Sequence, residues 1–148
     1  MIGGSGSERT PQLAARFADV WNGIFMVPDT FREHSAALDV LLSKHGRQPH
    51  EVKRTLAALC FFGHTEDALI RRVQRAREWD EELASLSLED ALETLRTEWG
   101  AIAGPPEVVI EQIHAYEQAG VEELMLEWFE LDDIESAEAF ATDVLLRL

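Results

Sequence analysis

The chain has 148 residues, of which 46% are hydrophobic and one is a cysteine, and its formal net charge is −15 at neutral pH. This length suits one domain with a buried core, and a single cysteine excludes an internal disulfide framework and fits a reducing cytoplasm, where we place the protein. The acidic charge argues against a nucleic-acid partner, no apolar run approaches the ~18 residues that a membrane span needs, and no signal peptide is visible.

The chain begins with a glycine-rich segment, Gly3 to Gly6, which lies shortly before a predicted helix from Thr10 to Phe17. The amides of a glycine turn at the start of a helix can approach an anion closely, and the helix dipole favours negative charge there. The same letters, G-G-S-G, also describe a flexible leader or linker. From these residues alone, both interpretations stay open.

The next part of the chain predicts strands and a helix in alternation. The stretch from Ala18 to Phe25 is short and mixed and could be a strand that ends at Asn22 or Ile24. A helix is expected to begin where Thr30 and Glu33 match a capping box and to end at Gly46. Leu56 to Phe62 is an unbroken apolar run. Such a run is typical of a central strand in a parallel sheet, because both of its faces are covered there.

Residues 64–103 have a helical pattern and are rich in charge. Thr65 and Ser87 are expected to cap two helices. The mixed arginines and glutamates predict a solvated face, with Trp79 and Trp99 docking these helices onto the rest of the fold or onto a partner.

Residues 104–148 predict a helix, a strand and a helix. Pro106 suits the first helical position, where an N–H has no partner, and Gly120 supplies a left-handed stop. Leu124 to Phe129 predicts a strand buried on both faces, and Asp132–Asp133 is expected to cap the last helix. Helices that alternate with strands of the parallel type indicate an α/β fold, either a doubly wound sheet or a barrel.

Four motifs, in this order and spacing, resemble a known family. They are I-G-G-S-G (2–6) followed by R-T-P-Q-L-A-A-R-F-A-D-V-W-N (9–22), P-D-T-F-R-E-H (28–34), G-R-Q-P-H-E-V-K-R-T (46–55), and G-P-P-E-V-V-I-E-Q-I (104–113) with A-G-V-E-E-L-M-L-E-W (119–128). The chain resembles the C-terminal half of the bacterial luciferase-like monooxygenases, and within them the oxidoreductases that use the deazaflavin coenzyme F420.

The resemblance implies an α/β fold that forms the C-terminal half of a (β/α)8 TIM barrel with a helical insertion before the last βα unit. In this single partial domain, residues 1–63 would run from the end of the fifth strand to the seventh, 64–103 would be the insertion, and 104–148 the last helix–strand–helix unit. A complete barrel needs about 250 residues. Because open strand edges are costly, we expect the missing N-terminal half or a homo-oligomer partner to complete the sheet.

The resemblance also implies a cofactor site. The corresponding glycine segment of the family contacts the phosphate of a flavin or deazaflavin, which nominates the amides of Gly3 and Gly4, the amide and hydroxyl of Ser5, and Gly6 for the turn. We expect coenzyme F420, with FMN as the alternative, and an unidentified organic substrate. The family's acid–base groups lie in the absent half, so this chain has no catalytic residue of its own and is expected to be inactive alone.

Other residues predict little chemistry. The five histidines lack metal-binding spacing, so no metal site is expected, and Cys60 is expected to be a buried, inert thiol. Trp21 and Trp128 could line a pocket or pack in the core. A second hypothesis is a non-catalytic helical protein-interaction module whose glycines form a disordered tail.

Overall fold

The structure is a computed structural model that describes residues 1–6, 9–130 and 132–148. These residues form two compact units, residues 1–58 with 115–126 and residues 59–114 with 127–148. The strands are β1 (Ile2–Gly3), β2 (Val20–Ile24), β3 (Lys53–Phe62), β4 (Ile102–Gly104) and β5 (Glu123–Glu127). The helices are α1 (Arg9–Phe17), α2 (Pro28–Lys44), α3 (Glu66–Trp79), α4 (Glu81–Ser85), α5 (Leu88–Thr97), α6 (Pro106–Gln118) and α7 (Ile134–Asp143), with short 3-10 turns at Pro49–Glu51 and Leu145–Arg147.

The first unit contains a parallel ladder of β1, β2 and the beginning of β3. β5 also pairs with β3. Lys53 donates its backbone N–H to Asp19 beside β2, whereas the Arg54 carbonyl accepts from Glu122 at 2.8 Å. Because successive residues of a strand point to opposite edges, β2 and β5 lie on opposite edges of β3. The predicted α/β class with a parallel sheet is therefore confirmed, and a purely helical module is ruled out.

Side chains of the first unit tie this ladder to its helices. Trp21 is 1% exposed and stacks on Phe31 of α2 with ring centroids 5.2 Å apart. The Tyr116 hydroxyl donates to the Met26 carbonyl at 3.0 Å, and burial raises the pKa of Tyr116 to about 12. Trp21 is thus a core residue. Of the two interpretations given for it, packing in the core is correct and lining a pocket is not.

The start of α2 differs from its prediction. The helix begins at Pro28, and Val27 is an extended N-cap residue without a side-chain bond, so Thr30 lies inside the first turn. The capping box predicted at Thr30 and Glu33 is wrong, because a proline at the first helical position is pre-organised for the helix and needs no N–H partner. At the other end, Gly46 follows the helix with φ +73°, as expected.

The second unit is built around the end of β3. Cys60 lies opposite Ile102 and Phe62 opposite Gly104, so β3 and β4 are parallel. Strand β4 was missed because its three residues are too few to show a period. The strand residues Leu59 and Phe61 pack into a buried cluster whose other members are Val73, Ala76, Leu83, Ala91, Leu95, Ala101 and Ala103.

Residues 64–103 contain three helices where the sequence predicted two. Thr65 and Ser87 cap α3 and α5 as expected, accepting from the N–H groups of Ala68 and Asp90. The additional helix, α4, has only five residues and is capped by Asp80. Trp99 packs against the buried cluster of this unit.

Strand β5 also departs from its prediction. It ends at Glu127, so Trp128 and Phe129 lie beyond the strand. The apolar residues from Leu124 to Leu126 are only half-buried, although burial on both faces was expected. In the described part of the chain β5 pairs with β3 alone.

Candidate functional site

The glycine-rich segment is part of the fold and not a tail. Gly3 pairs with Asn22 in the ladder of β1 and β2, and Gly4 donates its N–H to the Asn22 carbonyl at 3.0 Å. Ser5 and Gly6 follow at the carboxyl end of β1 and are exposed. Ser7 and Glu8, between this segment and α1, lie outside the described residues. The exposed residues of the segment are therefore accessible to a ligand.

Gly4 can only be glycine without strain. Its φ is +141°, a conformation that side chains disfavour, and a Cβ built there would lie 3.2 Å from Oγ1 of Thr10. A Cβ on Gly6 would lie 3.6 Å from the same oxygen. The Gly4 amide is already hydrogen-bonded in the strand pairing. A side chain at this position would meet Thr10.

Two neighbours of the segment were not predicted as site residues. Thr10 stands at the second position of α1, and Asn22 is a polar residue, 8% exposed, in an apolar strand. The Thr55 hydroxyl donates to Oδ1 of Asn22 at 2.8 Å, and a Cβ on Gly3 would lie 3.9 Å from Nδ2 of Asn22. The carboxamide nitrogen thus lies close to Gly3. A polar residue within an apolar strand was the available sequence signal.

The described residues of α1 carry only basic charges. Helix α1 has no acidic residue in its first turn, and its N-terminal end carries the positive end of the helix dipole. Its two charged residues, Arg9 and Arg16, are both basic. A helix N-terminus that follows a glycine segment is an arrangement in which proteins bind phosphate groups.

A second polar cluster lies in the other unit, around Arg72. This side chain is 5% exposed and its guanidinium donates to Glu130 at 2.9 Å, to Asp133 at 2.8 Å and to the Phe62 carbonyl. The guanidinium also lies 4.6 Å from the centre of the Trp128 ring. We call these five residues the Arg72 cluster. It fastens the segment after β5 to α3 and to the end of β3.

The remaining predicted residues have structural roles. Cys60 is 4% exposed, and burial raises the pKa of its thiol to about 12, so the expected inert thiol is confirmed. Trp128 is half-buried and packs against Phe62 and Phe140. It also borders a small cavity in its own unit. Trp128 therefore packs against neighbouring aromatic rings and also lines a cavity, so each of the two predictions for it holds in part.

Residues 1–6, 9–130 and 132–148 include no group of three or more histidines, cysteines or carboxylates that could hold a metal ion. Within the same ranges, every helix is too short or too polar to cross a bilayer.

Comparison with known proteins identifies the family. A profile of the family described as luciferase-like monooxygenase matches residues 1–123. The chain therefore belongs to the luciferase-like monooxygenase family. No curated protein matches the chain by sequence.

Solved structures of the same fold include enzymes of several kinds. EDTA monooxygenase from Chelativorans sp. BNC1 has a TM-score of 0.71 and 18% identity, with 98% of this chain and 42% of that chain covered. Coenzyme F420-dependent tetrahydromethanopterin reductase from Methanopyrus kandleri has a TM-score of 0.67 and 16% identity, with coverages of 97% and 49%. A riboflavin lyase, solved with modified FMN and riboflavin, has a TM-score of 0.70 and 17% identity, with coverages of 99% and 41%. The chain thus spans less than half the length of each of these proteins.

Proposed function

We propose that this chain is the cofactor-binding portion of a flavin- or deazaflavin-dependent oxidoreductase, and that its glycine segment holds the phosphate of the cofactor. Coenzyme F420 is our first choice and FMN the alternative. The observation that supports the proposal is the backbone of Gly4, whose φ of +141° and close approach to Thr10 exclude a side chain where the exposed glycine turn meets the start of a helix.

The residues of the site have distinct roles in this proposal. Gly3 and Ser5 supply backbone donors, the Ser5 hydroxyl supplies one more, and Gly4 and Gly6 keep side chains out of the space. Thr10 and Asn22 bound it. Arg9 adds a positive charge near the entrance. The bound cofactor supplies the redox chemistry, and the protein supplies position and electrostatics.

The cofactor class is consistent with the structural relatives. The reductase from Methanopyrus kandleri depends on coenzyme F420, and the riboflavin lyase was solved with modified FMN. Both cofactors carry a phosphate next to their ribityl chain, so one cradle could serve either.

Turnover requires more of the barrel in this proposal. The described parts of the glycine site contain backbone donors, hydroxyls and one carboxamide but no carboxylate, histidine or thiol placed for acid–base work. We therefore propose a half barrel, with residues 64–103 inserted before the last unit, whose remaining strands and catalytic groups come from further polypeptide. The substrate is an organic molecule bound on that larger surface.

The proposal is tested with ligands that differ by one phosphate. FMN and riboflavin, and coenzyme F420 and its phosphate-free deazariboflavin, are titrated against the full chain by fluorescence. A cradle predicts that the phosphorylated member of one pair binds about tenfold or more tightly, which corresponds to about 1.4 kcal/mol. Gly4→Asp should abolish that preference, because its side chain would fill the space and bring a negative charge.

The matched control is Gly46→Asp. Gly46 also has a positive φ, +73°, but nothing lies within 4 Å of its Cβ position, so its replacement adds the same acidic side chain at a positive-φ glycine without touching the site. It should leave the phosphate preference intact. If Gly4→Asp keeps the preference as well, or if the parent chain has none, the cradle assignment is wrong.

A further inference from the structure

Gly3 is a glycine that neither its backbone nor its neighbours require. It lies in β1, and it is not one of the glycines with positive φ. A Cβ built on it would lie 3.7 Å from the Asn22 carbonyl oxygen and 3.8 Å from Cβ of Asn22, which are ordinary contact distances, so an alanine would fit. A glycine weakens a strand, and one inside a strand often marks a place where a ligand approaches the backbone closely.

Gly3 and Gly4 face opposite sides of the sheet. A Cβ on Gly4 would meet Thr10 of α1, whereas a Cβ on Gly3 would meet Asn22, because successive residues of an extended strand point in opposite directions. In the parallel ladder Gly3 lies opposite Asn22, and Asn22 lies opposite Thr55. We call these three residues the Asn22 row. The row crosses β1, β2 and β3 on the face that is turned away from α1.

The carboxamide of Asn22 directs a donor toward Gly3. Asn22 is 8% exposed and Thr55 is 1% exposed, and the Thr55 hydroxyl donates to Oδ1 of Asn22 at 2.8 Å. This bond orients the amide, and Nδ2 lies 3.9 Å from the Cβ position of Gly3. In the part of the chain that the structure describes, Nδ2 has no hydrogen-bond acceptor. Because a buried donor without an acceptor costs free energy, the arrangement indicates a ligand oxygen at this point.

An uncharged oxygen suits this donor. The groups beside Nδ2 are the Thr55 hydroxyl and the Gly3 backbone, which carry no formal charge. A buried anion is costly without a cation beside it, so a hydroxyl oxygen fits the Asn22 row better than a phosphate does. In both candidate cofactors the group next to the phosphate is the ribityl chain, which carries hydroxyls.

We propose that Gly3 and Asn22 form a subsite for a hydroxyl of the ribityl chain. Nδ2 of Asn22 is the donor, and Thr55 is the positioning residue that orients it. Gly3 leaves room for the chain to reach the carboxamide. This inference rests on the proposed function, because the ribityl chain adjoins the phosphate that the glycine segment is proposed to hold.

Ligands that differ only in this chain test the inference. Riboflavin and lumiflavin share one ring system, lumiflavin has a methyl group in place of the ribityl chain, and neither carries a phosphate. Both are titrated against the full chain by fluorescence, together with the corresponding pair of 5-deazaflavins. In one of the two series, the member with the chain should bind about fivefold or more tightly. Equal affinities in both series, or no binding in either, overturn the inference.

Two variants attribute the preference to the Asn22 row. Asn22→Leu keeps the approximate size of the side chain but removes the donor, and the Thr55 hydroxyl retains an acceptor in the Trp21 carbonyl, 3.4 Å away. Gly3→Ala keeps Asn22 and places a methyl group 3.9 Å from Nδ2, where it covers the donor. Each variant should reduce the preference for the ribityl chain to about twofold or less, with little change in the affinity for lumiflavin.

The role of Thr55 has its own pair of variants. Thr55→Val removes the hydroxyl that orients the amide and should lower the preference less than Asn22→Leu does. Thr55→Ser keeps the hydroxyl and should retain the preference. A parental preference in Thr55→Val contradicts the positioning role.

Gln12→Leu is the matched control. Gln12 is an exposed carboxamide on α1, so the same kind of replacement away from the Asn22 row should leave the preference unchanged. Far-UV circular dichroism checks that each variant is folded. A folded Asn22→Leu or Gly3→Ala that keeps the parental preference overturns the inference. A loss in Gln12→Leu equal to that in Asn22→Leu also overturns it.

The titrations distinguish this inference from the proposed function. A chain that prefers FMN to riboflavin, but not riboflavin to lumiflavin, supports the proposed phosphate site and contradicts the ribityl subsite. A chain that prefers riboflavin to lumiflavin, but not FMN to riboflavin, supports the ribityl subsite and contradicts the phosphate site.

Discussion

At the scale of single residues, Arg72 is the clearest departure from the sequence pattern. The arginines and glutamates of α3 predicted a solvated face, and this holds for Arg71 and Arg75, which are exposed. Arg72 instead lies between Ala68 and Ala76 on the buried face of the helix. These small neighbours make room for its stem, but its partners lie as far as 61 residues away in the sequence, where local periodicity gives no information.

Arg72→Met should destabilise the chain by about 2 kcal/mol or more. It keeps an apolar stem but leaves Glu130 and Asp133 without their buried cation and the Phe62 carbonyl without its donor. Arg75→Met is the matched control, since Arg75 also pairs with Glu130, at 2.8 Å, but has a side chain that is 58% exposed. Its loss should cost less than about 1 kcal/mol.

Urea unfolding measures both variants. Equal midpoints for Arg72→Met and Arg75→Met would show that burial of the first guanidinium does not matter, contrary to this expectation.

The glycine segment shows how far the site itself could be predicted. The residue types of the segment and its position before α1 were enough to nominate Gly3, Gly4, Ser5 and Gly6 as a possible phosphate-binding site. They could not show that the Gly4 amide is taken by strand pairing, or that Thr10 stands within reach of its missing side chain, because both depend on how β1 meets its neighbours.

At the scale of secondary-structure elements, the length of each helix or strand decided whether the sequence could predict it. The apolar run from Leu56 to Phe62 predicted β3 correctly, and the caps at Thr65, Ser87 and Asp133 were right because capping is a local interaction. Strand β4 and helix α4, with three and five residues, are too short for a periodic pattern. The burial of β5 was overestimated, because burial depends on neighbouring elements that the local sequence does not specify.

The segment after β5 should weaken in acid. Burial raises the pKa of Glu130, but hydrogen bonds from Arg72 and Arg75 outweigh it, so that the pKa lies below its usual value. The Ser136 N–H is the largest cause of a lowered pKa at Asp133, and Arg72 adds to it. A carboxylate whose pKa is lowered by folding stabilises the folded protein at any pH above its pKa in the unfolded chain, which is about 4. This stability is lost as the pH falls through the pKa of the folded state.

Equilibrium unfolding between about pH 6 and pH 3, followed by tryptophan fluorescence, measures this effect. The free energy of unfolding should fall across the acid range in the parent and fall less steeply in Arg72→Met, which has already lost the cation. Identical slopes in the two proteins would contradict an effect of the Arg72 cluster.

At the scale of the whole molecule, the net charge of −15 is the dominant property. Like charges repel one another in a compact chain, and salt screens them with a Debye length of about 10 Å at 0.1 M. We expect the urea midpoint to rise as sodium chloride is increased from about 20 to 300 mM. A midpoint that falls instead would mean that attractive ion pairs, and not repulsion, control the stability.

The family was the most predictable property at this scale. The four motifs are spread over most of the chain, so their order carried information that no single element had, and the family profile over residues 1–123 agrees with them. The cofactor could not be chosen in the same way, because both candidates carry the phosphate that the proposed cradle would contact.

The burial of Cys60 makes the chain convenient for site-specific labelling. It is the only cysteine in the sequence, and a thiol that ionises near pH 12 hardly reacts with maleimides at neutral pH. A cysteine introduced at Phe17 or Val40 would therefore be the sole attachment point for a dye, with no need to remove the native residue.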